Sequence, residues 1–153
     1  MTIRLILASA VALALPMAAN AQSALERFEV LNEQIETLIF EAMAAQTPQL
    51  VGNLPAPEWN QAMRVAGECF LDGVRDEVGD EGVNTLLDNM EAAMQGVDAT
   101  SLMQESGAFQ PTLPDGLSDQ QLQNIDSECG LNQALMMRFA ESGAFSVIME
   151  SGQ

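Results

Sequence analysis

The sequence predicts an all-α protein, an irregular antiparallel bundle of four to five helices closed by one disulfide. Three observations predict it. Apolar residues recur at three- and four-residue steps through most of the chain, the period of a helix with one buried face. No segment alternates apolar and polar residues convincingly, as a half-buried strand would. The only two cysteines, Cys69 and Cys129, fall on or beside those apolar stripes.

The first helix is expected from about Ser23 to Ala45, with Leu25, Phe28, Leu31, Ile35, Leu38 or Ile39, and Ala42 or Met43 on its buried side. Ser23 stands at the cap with Glu26 three residues on, a capping-box spacing. Residues 47–57 hold Pro48, Gly52, Pro55 and Pro57 and read as a linker, because prolines at this density cannot lie inside a helix. A second helix is expected from about Glu58 to Val78, burying Trp59, Met63, Ala66, Phe70 and Val74. Gly79 reads as its stop. Asp80 then reads as the cap of a third helix carrying Val83, Leu86, Leu87, Met90, Met94 and Val97.

Residues 98–117 are punctuated by Gly107, Pro111, Pro114 and Gly116 and read as a long irregular connection, with room for a helical turn at 101–105. A connection of this length is either functional or wrapped on the surface. Helix four has the strongest start signal: Ser118 and Gln121 make a capping box, and Leu117 and Leu122 a hydrophobic staple. Gly130 reads as a kink or stop, with Asn132 capping a continuation through Leu135, Met136 and Phe139. The apolar tail 144–149 is expected to dock on the bundle. Glu105-Ser-Gly-Ala-Phe109 recurs at Glu141-Ser-Gly-Ala-Phe145, read as two glycine-stopped helix ends rather than a duplication.

Residues 1–21 have the three parts of a cleavable secretory leader. Arg4 gives the positive start, Leu5 to Leu15 is uncharged, and Ala19-Asn20-Ala21 follows Pro16 as a cleavage site. The apolar run is too short for the roughly 20 residues that span a bilayer. No cysteine lies nearby to carry a lipid, and no later segment is apolar for long enough to cross. Residues 22–153 are thus expected to work as a single acidic helical domain without a membrane anchor, in the periplasm or otherwise secreted.

Charge and missing residue types narrow the function. The 22 acids all lie beyond residue 21, against Arg27, Arg64, Arg75 and Arg138, and the whole chain has a formal net charge of −17. Such a charge favours solubility and repels nucleic acid and anionic lipid. Apolar residues make up 48% of the chain, too many for a disordered one. The chain has no His, Lys or Tyr. A Ser-His-Asp or Cys-His device cannot be built, nor a Schiff-base lysine, nor a histidine zinc site. No enzyme activity and no cofactor are expected.

Four features remain. Cys69 and Cys129 are expected to pair, since an even set of cysteines in an oxidising compartment usually does. Glu68, Asp72 and Asp76 fall at i, i+4 and i+8 on one side of helix two. Like charges at that spacing oppose the helix, and such a violation can mark a divalent-cation site. The spacing fits no EF-hand loop, and a solvated face is the competing account. Met90 and Met94 are one turn apart, as two thioethers for Cu(I) would be, yet they sit on a core stripe where Met is a common filler. The expected role is structural or partner-binding, with the 98–117 connection as the contact surface. The alternative is a small ligand, either a cation on the acidic stripe or an apolar molecule between Met-rich helices.

Overall fold

The computed structural model describes residues 22–104 and 108–151. The leader-like residues 1–21 and Gly107 lie outside them. The described chain is all-helical. Six α-helices run in the order α1 (Ala24–Gln46), α2 (Gln61–Met94), α3 (Ala99–Gln104), α4 (Asp119–Cys129), α5 (Leu131–Ser142) and α6 (Ala144–Ser151). The count exceeds five because both the short turn after Asp98 and the apolar tail are helical.

α1 begins where the capping box places it. The Glu26 N–H donates to Ser23 Oγ at 3.1 Å, and the Ser23 N–H donates to Glu26 Oε2 at 2.8 Å. Its buried residues are Phe28, Leu31, Glu36, Phe40 and Ala42. The stripe therefore drifts in the second half: Phe40 turns inward, and the expected Ile39 turns out. A 3₁₀ turn at Pro48–Leu50 follows and plugs Leu50 into the interior.

α2 starts at Gln61 rather than Glu58, because Trp59 and Asn60 are held otherwise. The Trp59 N–H donates to Glu33 Oε1 at 2.8 Å, and Asn60 Oδ1 caps the helix by accepting from Met63 N–H at 3.0 Å. Partners of α1 descend along α2 as α1 rises: Leu25 lies by Gly67, Glu29 pairs with Arg64, and Glu33 holds Trp59. The two helices are thus antiparallel here. Phe28 stacks on Phe70 with centroids 5.3 Å apart and meets Trp59 edge-on at 5.6 Å. Two glycines permit close packing. A Cβ on Gly67 would fall 2.5 Å from the Trp59 ring, and one on Gly73 would fall 2.7 Å from Ile125 of α4.

The expected second and third helices form one helical run, broken at Gly79. Its φ of 73° and ψ of 178° lie in a region that only glycine occupies readily. Asp80 gives its carboxylate to Arg75 at 2.7 Å instead of serving as the expected cap. Beyond the break, Val83, Leu86, Leu87 and Met90 rejoin the core that Met63, Phe70, Leu71 and Val74 build before it. Burying a side chain such as Leu87 fully contributes about 1.5–3 kcal/mol.

The segment after residue 107 wraps the core. Phe109, Leu113 and Leu117 pack against it, and Asn89 Nδ2 donates to the Thr112 carbonyl at 2.7 Å. α4 has the capping box expected at Ser118 and Gln121. Gly130, at φ 71°, ends α4, and α5 begins at the next residue. Asn132 is not the cap of α5; its N–H donates to Asp126 Oδ1 at 3.1 Å. Gly143, at φ 87°, ends α5 and starts α6. Phe139 then sits between Phe40 and Phe145, at 5.4 and 6.1 Å.

Cys69 of α2 and Cys129 of α4 form a disulfide, with Cα atoms 5.5 Å apart and a sequence separation of 60. Cys69 lies towards the surface rather than in the core. No helix among the described residues is long and apolar enough to cross a membrane.

Candidate functional site

An open groove of about 550 Å³ lies between the first turns of α2 and the length of α5. Ala62 and Ala66 from α2 and Ala134 from α5 form its apolar walls. Small side chains at these three positions leave the space between the helices unfilled. Val65 and Met137 also line it, although 57% and 54% exposed. Next to Met137, Met136 is 46% exposed. Cys129 closes one end, while Asn60, Gln61, Gln133 and Glu141 supply polar edges.

Behind the groove lies a buried ion pair that periodicity did not single out. Arg138 Nη1 donates to Glu36 Oε2 at 2.8 Å, and both residues are 6% exposed. Arg138 Nη2 also donates to the Ala56 carbonyl and, at 3.3 Å, to that of Glu58. One guanidinium thus ties α1, the proline-rich linker and α5 together. Burial raises the Glu36 carboxyl above its ordinary value, and the charge and hydrogen bond of Arg138 oppose that rise. The Trp59 indole N–H adds a smaller opposing effect from nearby, without meeting hydrogen-bond geometry. Two signals in the sequence pointed here: an arginine inside the apolar run Leu135-Met-Met-Arg138-Phe, and a glutamate one turn before Phe40.

The predicted acidic stripe is only partly assembled. Glu68 and Asp72 border a shallow cleft beside Ser23, Leu25 and Arg75, and Asp76 is not part of it. Arg75 takes Asp72 and Asp80 together. Among the described residues, no group of three or more Cys, Asp or Glu is gathered as metal ligands would be. Met90 is in the core. Among the described residues of the 98–117 connection, Phe109, Leu113 and Leu117 face inward, against the core. Near its start, Asp98 Oδ1 accepts from the Ser101 N–H at 2.7 Å, a bond that lowers the Asp98 pKa.

Fold and groove together define a small, disulfide-closed helical protein with an open apolar cleft. Searches against protein-family models, curated proteins and solved structures return no match.

Proposed function

We propose that this is a secreted, non-catalytic helical protein of the periplasm or another oxidising compartment, which binds a partner through the groove between α2 and α5. One observation carries the reading: Val65 and Met137 stay exposed around a concave wall of alanines while the rest of α2 buries its apolar stripe. An apolar side chain seated there removes water from both surfaces, at about 25 cal/mol per Å² buried. Methionine suits such a surface because its unbranched thioether adapts to the shape it meets. Secretion is supported by the leader-like residues 1–21 and by the disulfide, a bond that persists in oxidising compartments.

A small apolar ligand is the second reading, favoured by the groove volume, which falls within the ~300–1,000 Å³ of small-molecule sites. The acidic stripe is taken as a solvated face, since Arg75 already engages Asp72. A photocrosslinking residue placed at Met137 and, separately, at Asp115 in secreting cells tests the first reading. A discrete adduct is expected from position 137 alone, lost when Val65→Asp is added. Equal adducts from both positions, or none from 137, would overturn it. A bound apolar molecule on the native ion in mass spectrometry would favour the second.

A further inference from the structure

We propose that Gln22 is a modification site: once the leader is removed, its side chain closes on its own amine as a pyroglutamyl ring, and that ring guards the start of α1. The inference rests on the secretion reading, because cleavage after Ala21 is what frees the α-amino group of Gln22. Glutamine carries a neutral carboxamide at the distance that closes an unstrained lactam on its own nitrogen. The residues on either side, Ala21 and Ser23, have no carboxamide and cannot do the same. The amine nitrogen attacks the side-chain Cδ, the N–Cδ bond forms and the Cδ–Nε2 bond breaks. Nε2 leaves as ammonia, taking the proton that the amine gives up. No oxidant, reductant or water enters. Nucleophile and electrophile belong to one residue, so the attack is intramolecular. An ordinary α-amino group has a pKa of about 7.7–8.0, which leaves roughly a tenth of it as the nucleophilic free base at pH 7.

The structure leaves room for the ring and gives it a consequence. Gln22 is exposed and lies ahead of α1, so closing a ring on it displaces no packed residue. It borders a shallow recess with Arg27 and Glu91, where Arg27 already pairs with Glu91 and Asp88. The reaction uses only the amine and carboxamide of Gln22. The Ser23 N–H keeps its bond to Glu26 Oε2, and Ser23 Oγ keeps the one from the Glu26 N–H. The ammonium that disappears stands beside the positive end of α1, where unpaired N–H groups disfavour a cation. Gln22 is also the single residue between the freed end and the Ser23 cap. An aminopeptidase that removes Gln22 and then Ser23 destroys the capping box, and Ala24 and Leu25, which follow, pack against the core. Proteolysis concentrates at chain ends, and a lactam offers an aminopeptidase no free amine.

The test expresses the full 153-residue chain in secreting cells and reads the intact mass and the amino-terminal peptide of the exported protein by tandem mass spectrometry. The disulfide is reduced first, so that ammonia is the one difference left to assign. The expected mass is that of residues 22–153 less one ammonia, with the loss mapped to Gln22. A chain that begins at Gln22 and keeps its ammonia after prolonged incubation at neutral pH overturns the ring and leaves the secretion reading standing. A chain that begins at another residue, or keeps residues 1–21, overturns both. Gln22→Asn retains a carboxamide but is one methylene too short to close the same ring, and it supplies the second readout. Under leucine aminopeptidase the parent should keep its full mass, while the exported Gln22→Asn chain should lose its first residue and Ser23. Equal resistance of the two chains would show that the ring is not what guards the cap.

Discussion

Replacing Arg138 with methionine leaves the Glu36 carboxylate buried without its cation. It also takes a donor from the carbonyls of Ala56 and Glu58. Breaking a buried ion pair by removing one partner costs about 3–5 kcal/mol. An orphaned buried carbonyl costs roughly 1–3 kcal/mol more. Ala56 and Glu58 are on the exposed linker, however, where water replaces the lost donor. The ion pair therefore sets the scale. For a domain of this size, about 3–5 kcal/mol lowers Tm by about 10–20 °C. Urea unfolding followed by Trp59 fluorescence measures it, since Trp59 is the single tryptophan and packs beside the pair. Substituting both partners, as Glu36→Leu with Arg138→Met, should recover most of the loss, because a well-packed apolar pair avoids the desolvation cost. The pH dependence has a definite sign. The Glu36 pKa is already raised above 4.5 in the folded protein, so the folded state holds that proton more tightly than the unfolded chain does. Its effect on stability is unfavourable as pH rises from 4.5 through the folded value, and constant above. Without Arg138 the folded value rises further, and the Arg138→Met defect should shrink on acidification. A single variant within about 1 kcal/mol of the parent at neutral pH, or a double variant no better than the single, would refute the clamp.

Substituting Cys69 and Cys129 with alanine should cost about 2–4 kcal/mol, read as a fall in Tm that reductant reproduces in the parent and not in the variant. Gly79→Ala should cost about 1–3 kcal/mol through backbone strain alone, because nothing lies within 4 Å of the added methyl. Gly67→Ala should cost a similar ~1–3 kcal/mol by a different route, overpacking against the Trp59 ring, and smaller aromatic neighbours such as Trp59→Phe should relieve it; additive melting shifts would contradict that. Under hydrogen peroxide, peptide mapping should find Met136, Met137 and Met149 converted to sulfoxide before Met63 and Met90, following their exposure; uniform oxidation would indicate that the core opens on the time scale of the reagent.

The features written in short-range chemistry were legible. Ser23 with Glu26 and Ser118 with Gln121 fix two helix starts within four residues of sequence, and the structure has both boxes. Gly79, Gly130 and Gly143 mark breaks because a left-handed or extended positive-φ residue declares itself by type. The features that depend on distant partners were not legible. Trp59 falls on the periodic stripe of helix two, yet it lies before the helix because Glu33 takes its N–H. Ile39 and Phe40 are equally apolar, and it is Phe40 that meets Phe139, far along the chain. Glu36 and Arg138 are 102 residues apart, and although each stands among apolar neighbours, nothing local says that the two meet. The groove is a space left by alanines on two helices, and a pattern along one helix does not reveal it. The 98–117 connection shows the same limit: Phe109, Leu113 and Leu117 look available to a partner in sequence, and the chain's own core has taken them.

The Arg138 clamp also predicts an order of assembly. α1 and the first half of α2 are neighbours in sequence and can pair across a short loop. The carboxylate of Glu36 then waits beneath that pair, and among the described residues no cation before position 138 pairs with it. A chain cut before α5 therefore holds a charge at the place where its interior must close, and its linker lacks the donor that fastens Ala56 and Glu58. Closure of the interior is therefore expected only once α5 is in place. Nascent or truncated forms should remain open to proteases along 47–60, and arrival of the last two helices should seal that stretch and the interior in one step.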